Sequence, residues 1–277
     1  MLAVAWVARL GTVTGEAGVV AMGGARVAAA RRSAGGGWRV LPLVVDEPRV
    51  LLDDGVGLLA SLANDPTPTL RWYASTRTAI VLGRGQAANV AAAATSEVTV
   101  LQRYSGGGAV LMDRTLLSLD VAVPAGSPLL EGDLGAAFGR VGRAWAQALA
   151  DLGVAQVTVF EGAGAARRRG DARERVLAAV CYATLGRGEV LAGGRKLVGL
   201  AQRRRQAGAL VQCGLLRRWQ PGPLLTALGA DPDDPEVAAA AVGLDDLTAA
   251  AGRAPLADDA VITAVEARLD AALGGRP

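Results

Sequence analysis

The sequence predicts an α+β domain: a central mixed β-sheet flanked by helices and closed by a short helical C-terminal tail. Three observations predict it. Strand-like apolar runs recur through the middle of the 277-residue chain without regular βαβ alternation. One long amphipathic helical pattern interrupts them. Hydrophobic residues make up 51%, enough for a sizeable core, and with aromatics at only 4% that core must be built from Ala, Val and Leu.

Taken in order, residues 1–38 are Gly/Ala-rich with a weak apolar pattern, and read as a poorly ordered leader. A strand, RVLPLVV, follows Trp38. Across 47–63, Val50, Leu51, Val56, Leu58, Leu59 and Leu62 share a helical face, with Pro48 suited to its first turn. TLRWYAS and TAIVLG read as strands, and GRGQ leads into an Ala-rich helix near 86–94. VTVLQRY is a strand ending in the loop SGGGA, followed by strands AVLM and LLSLDVAVP. Leu134, Phe138, Val141, Trp145 and Leu149 mark a helix over 129–152, and the strand VAQVTVF comes after it. Residues 162–175 are small and charged, a surface loop. Strands are expected at 176–183, 188–192, 196–202 and 209–216, with Gly193–Gly194 as a tight hairpin turn. Helices near 222–229, 235–242 and 258–273 close the chain, so the expected division is leader 1–38, catalytic domain 39–220 and helical extension 221–277.

Composition excludes several chemistries. There is no histidine, which removes Ser-His-Asp and Cys-His catalysis. The two cysteines, Cys181 and Cys213, make neither a disulfide framework nor a zinc site, so no metal is expected. A net charge of +3 is too weak to imply a nucleic-acid binder unless the charge is concentrated, which leaves that reading the weakest. No apolar run is long enough for a membrane span, and a cytoplasmic protein is the default. Of the 29 basic residues one alone, Lys196, is lysine. Arginine replaces lysine for surface charge, but not where a compact, movable point charge must meet a carboxylate, phosphate or carbonyl.

Three segments could carry chemistry: GRGQ at 83–86, RYSGGGAVLMD at 103–113 and GGRKLVGLAQRR at 193–204. Three successive glycines let a backbone approach a ligand, and Arg103 could grip an anion bidentately. On its residues alone that loop reads equally well as a glycine-rich hairpin turn. Lys196 begins a strand after a glycine turn and would project from a rigid edge.

In order and spacing these segments resemble the lipoate–protein ligase and octanoyltransferase family, over roughly residues 39–216. That family commonly shows Arg-Arg-x-Ser-Gly-Gly-Gly-Ala-Val, with His-Asp shortly after, and a Gly-Arg-Lys-Val/Ile-x-Gly-x-Ala-Gln pattern. Here Gln102 stands at the first arginine, Met112 at the histidine before Asp113, and Gln212-Cys213-Gly214 at a typical His-His-Gly or Gln-His-Gly. No Asn-Asp pair lies upstream of the lysine.

The resemblance implies a biotin/lipoyl protein ligase-like fold, similar to class II aminoacyl-tRNA synthetases. It implies that Lys196 is the essential lysine. Arg103, Ser105, Gly106, Gly107, Gly108, Ala109, Gly83, Gln86, Asp113, Gly199, Ala201 and Gln202 would bind acyl substrate or nucleotide. In a ligase, ATP with Mg would activate lipoate or octanoate as an acyl-adenylate. In the family's cysteine-dependent octanoyltransferases, which need no cofactor, a nucleophilic cysteine before an aromatic residue precedes the lysine at about the spacing of Cys181-Tyr182. A buried strand cysteine is the competing reading of Cys181. The ligase reading leads, because SGGGAV is more similar to ligases. A degenerate, non-catalytic acyl- or carrier-binding member is the third reading. The implied partners are lipoyl-acceptor domains of 2-oxoacid dehydrogenases or a glycine cleavage protein, and an acyl carrier protein as donor. Basic clusters at 167–169 and 203–205 would suit such acidic partners.

Overall fold

The computed structural model describes residues 30–86, 98–133, 135–162 and 172–274. The Ala-rich helix expected near 86–94, most of the expected leader, Leu134 and the basic cluster at 167–169 lie outside the described residues.

The main sheet is mixed, as expected. Its strands are β1 (Arg31–Arg32), β2 (Arg39–Asp46), β3 (Thr69–Ser75), β7 (Leu116–Pro124), β8 (Val157–Val159), β9 (Val190–Ala192), β10 (Arg195–Arg205) and β11 (Gly208–Leu216). They run in the order β1-β2-β3-β7-β11-β10-β9-β8. The β2–β3 pair is parallel and the rest are antiparallel. A second sheet, β5-β4-β6, joins β4 (Ala79–Leu82), β5 (Thr99–Gln102) and β6 (Val110–Met112).

β7 lies at the centre, and Leu116–Val123 are all buried, because both of its faces are covered. On one side the core joins Leu119, Val121 and Val211 to α2 (Ala136–Asp151) and α7 (Asp258–Gly274). α2 presents Val141, Trp145 and Leu149 inward at helical spacing, and Trp145 meets Trp72 edge-on at 5.6 Å. On the other side α1 (Pro48–Ser61) packs Leu58 and Leu59 against Ala122 and Leu210. No helix among the described residues is long and apolar enough to cross a membrane.

Two expectations need correction. Residues 30–38 are not outside the fold. Trp38 is fully buried, Arg31 pairs with Glu266 at 2.6 Å, and Ser33 Oγ donates to Asp270 at 2.6 Å. The helical C-terminal tail forms as expected, and its last helix places Val261, Val265 and Leu269 in the main core. Finally, residues 176–183 are not a strand. They fall in α3 (Ala172–Ala179) and a 3₁₀ turn at Cys181–Ala183. ARERVLAA is made mostly of good helix formers, and a short apolar run does not distinguish strand from helix by period.

Beyond β11 come α4 (Gly222–Ala227), α5 (Pro235–Ala240) and α6 (Leu244–Ala250), the last not foreseen. α5 stops where Ala241 forms a single bridge to Lys196.

α2 and the turn before β9 touch backbone to backbone. A Cβ at Gly142 would sit 1.9 Å from the Gly188 carbonyl. Gly142→Ala should therefore cost about 1–3 kcal/mol. A lowered urea midpoint with unchanged slope is the expected result; an unchanged midpoint would mean that this contact opens freely.

Candidate active site

The site begins at the β9–β10 hairpin. Gly193 and Gly194 have φ of +57° and +77°, as a two-residue type I′ turn requires. Immediately after it, the β9–β10 register shifts between Lys196 and Val198. Such a bulge re-aims a side chain. Lys196 does not project from a rigid edge as expected, since β10 lies between β9 and β11; it turns inward and is 1% exposed.

Its ammonium meets three oxygens: Glu189 Oε1 at 2.6 Å, the Cys181 carbonyl at 2.8 Å and the Thr184 carbonyl at 3.1 Å. An ammonium has three protons, so these acceptors satisfy it. The Cys181 sulfur lies 3.9 Å from Nζ, close enough to feel its charge. Glu189 is fixed in turn, with Oε2 accepting the Gly186 N–H at 2.7 Å and Oε1 the Leu200 N–H at 3.3 Å. Sequence reasoning missed Glu189. The available signal was that it is the sole carboxylate between Cys181 and Lys196.

Cys181 is held by a backbone splice. Ala109 donates its N–H to the Ala179 carbonyl at 2.6 Å and accepts the Cys181 N–H at 2.9 Å. Glycine makes this approach possible. A Cβ at Gly108 would lie 2.7 Å from both the Ala179 carbonyl and the Cys181 nitrogen. At Gly83 it would lie 2.0 Å from the Gly107 carbonyl. Gln86 bridges the same parts, accepting the Gly83 N–H at 2.9 Å and donating to the Ala179 carbonyl at 3.0 Å. Gln102, at the family's first arginine, donates to the Gln86 carbonyl at 2.9 Å. All three motif segments thus meet around Cys181.

Other expected site residues have different work. Arg103 is buried and donates from Nη2 to the Gly106 and Gly108 carbonyls, both at 2.8 Å, and from Nη1 to the Val81 carbonyl at 3.2 Å. It fixes the loop from within. Asp113 accepts the Thr115 N–H and Oγ–H at 2.7 Å each, closing a turn. Ser105 donates to Gln212 Oε1 at 2.8 Å, and Gln212 donates to the buried Asp120 at 3.3 Å. Gly106 is exposed in open space. Gln202 is half-buried on β10.

Cys181 opens on a narrow apolar cleft of about 70 Å³, smaller than a usual small-molecule pocket. Leu52, Val81, Met112, Leu116, Tyr182 and Ala201 supply its greasy wall, and Arg103 and Gln212 its few polar atoms. Gly199 belongs to the wall and brings β10 against Tyr182; a Cβ there would meet the phenol ring at 3.3 Å. The Tyr182 hydroxyl donates to the Gly214 carbonyl at 2.7 Å. Burial, reinforced by Cys181 and Glu189, holds that phenol's pKa well above its ordinary value, so it stays neutral.

Residues 57–247 match the lipoyl protein ligase A/B catalytic domain. The chain belongs to that family. It is 32% identical over 183 residues to octanoyltransferase LipM of Moorella thermoacetica, a match covering 64% of this chain and 63% of that relative. The chain thus spans less than two thirds of the curated relative it matches. A lipoate-protein ligase A solved with ATP shares the fold at a TM-score of 0.61 and 18% identity, covering 85% of each chain. A bipartite lipoate protein ligase of Thermoplasma acidophilum, described with its E2 lipoyl domain, does so at 0.56 and 17%, covering 85% of this chain and 83% of that one. These two likenesses speak for the fold.

Within the matched region the two thiols differ. Cys181 is half-buried, while Cys213 is 3% exposed and burial pushes its pKa up. Iodoacetamide at pH 8 should label Cys181 in the native protein and Cys213 only after denaturation. Peptide mapping that finds equal labelling would contradict this difference.

Proposed function

We propose that this lipoyl protein ligase A/B family member is a cysteine-dependent acyltransferase. It moves an octanoyl group from a carrier-protein thioester to a lysine of a lipoyl-acceptor domain. The observation that carries the reading is Cys181, whose sulfur borders an apolar cleft and lies 3.9 Å from the chain's one lysine ammonium. Similarity to an octanoyltransferase supports it.

The steps follow from this geometry. The octanoyl chain lies in the cleft. The Cys181 thiolate attacks the donor carbonyl; the carrier sulfur leaves and takes up the proton that Cys181 gave up. Lys196 provides positive charge beside the carbonyl as its oxygen becomes negative. The acceptor's neutral lysine amine then attacks the acyl-cysteine. A C–N bond forms, the C–S bond breaks, and the amine proton goes to the Cys181 sulfur. No histidine is needed, because sulfur is both leaving group and proton acceptor.

The ATP-dependent ligase is the second reading, favoured by the SGGGAV loop. Two groups expected to serve the nucleotide fit it poorly. Arg103 is occupied by loop carbonyls and Asp113 by Thr115. We therefore route no step through ATP or Mg.

One mass measurement separates the readings. An apo lipoyl domain is incubated with enzyme and either octanoyl-carrier protein or lipoate with ATP and Mg. A gain from the carrier thioester alone, abolished in Cys181→Ala, is expected. Lys196→Arg should slow that transfer by about 100-fold or more, as loss of a charge at the developing oxyanion does. A gain only with ATP would establish the ligase, and no gain from either donor a non-catalytic binder.

A further inference from the structure

We infer that Glu189 protects Lys196 from acylation by the enzyme's own Cys181 thioester. The inference rests on Cys181 as acyl carrier. Once the sulfur is acylated, Lys196 Nζ, 3.9 Å from that sulfur, is also within reach of the carbonyl carbon bonded to it. An amine so held reacts at an effective concentration of about 10⁵ M or more. The product would be an amide on Lys196: a C–N bond forms, the C–S bond breaks, and an amine proton returns to sulfur. Thioesters acylate amines downhill, so this ends the enzyme's life with its only lysine blocked.

The partners of Nζ show what prevents it. A neutral amine has two N–H donors and one lone pair. The Cys181 and Thr184 carbonyls, at 2.8 and 3.1 Å, could hold those two donors equally well. The third partner discriminates. Glu189 Oε1, at 2.6 Å, needs a third proton between it and the nitrogen; without one, the lone pair would face a carboxylate. Glu189 cannot swing aside, because Gly186 and Leu200 N–H groups hold its two oxygens and it is only 4% exposed. The carboxylate therefore occupies the side of Nζ from which a lone pair would attack, while the nitrogen stays beside the sulfur to attract an oxyanion.

The test uses the full chain, a small octanoyl thioester as donor and no acceptor domain. In the wild type, intact mass should show one octanoyl adduct that hydroxylamine removes, mapping to Cys181. In Glu189→Gln, a hydroxylamine-resistant adduct on Lys196 should accumulate at least about tenfold faster than in the wild type. Adding Cys181→Ala to Glu189→Gln should abolish it, showing that the acyl group passes through sulfur. Should the Gln variant not fold, Glu189→Asp, which draws the charge back by one methylene, should still give more Lys196 amide than wild type. A folded Glu189 variant whose adduct stays a Cys181 thioester as long as the wild type's overturns the inference. So does a wild type that forms the lysine amide as fast as the variant. If the wild type gains no Cys181 adduct at all, the acyl-cysteine reading itself fails, and this inference with it.

Discussion

The site depends on one contact between backbones. Ala109 and Cys181 lie on segments far apart in sequence, and two hydrogen bonds through Ala109 join them, at 2.6 and 2.9 Å. Backbones can come this close only without an intervening Cβ, which makes Gly108 a requirement of geometry. From this splice the rest follows. The Cys181 carbonyl is presented to Lys196, the sulfur is turned to the cleft, and the glycine loop is anchored at its C-terminal end. Arg103 anchors the loop from beneath, so the motif's most polar side chain supports the scaffold.

Charge at the site is confined by the same construction. Lys196 and Glu189 are both nearly inaccessible, and a buried ion pair earns its stability only with good geometry and satisfied remaining atoms. Both conditions hold here, with three acceptors for the ammonium and a backbone N–H for each carboxylate oxygen. Removing either partner would leave the other charge buried, at a cost of about 3–5 kcal/mol. In the transfer we propose, the pair is structural and functional at once. A defect in transfer alone does not separate the two roles, whereas the chemical identity of an acyl adduct does.

Much of this was legible in the sequence where it rested on local rules. The Gly193–Gly194 turn, the inward face of α2 and the wholly buried β7 follow from residue conformational limits and apolar spacing. The prominence of Lys196 followed from the chain's strong preference for arginine. What could not be read was long-range. Periodicity over eight residues could not tell α3 from a strand. Nothing near Arg31 or Ser33 announces Glu266 and Asp270, more than two hundred residues away, which bring residues 30–38 into the fold. Arg103 was expected to face an anion because guanidinium groups often do. That the loop's own carbonyls claim it is decided by tertiary packing.

The departures from the family pattern take on a common meaning in this setting. Gln102 replaces an arginine and Met112 a histidine, and no histidine follows Gln212. A glutamine amide both accepts and donates, so it can join two fixed groups without carrying charge or changing protonation. Gln86 does so between Gly83 and Ala179, and Gln212 between Ser105 and Asp120. Met112 meanwhile adds apolar wall to the cleft. Charged or titratable groups of the family pattern have given way to linkers and lining. In the acyl transfer we propose, proton transfer beside the cleft then falls to sulfur and to the substrate's own amine. The carboxylate of Glu189, fixed from both sides by backbone N–H groups, holds the one lysine this chain has kept beside that sulfur.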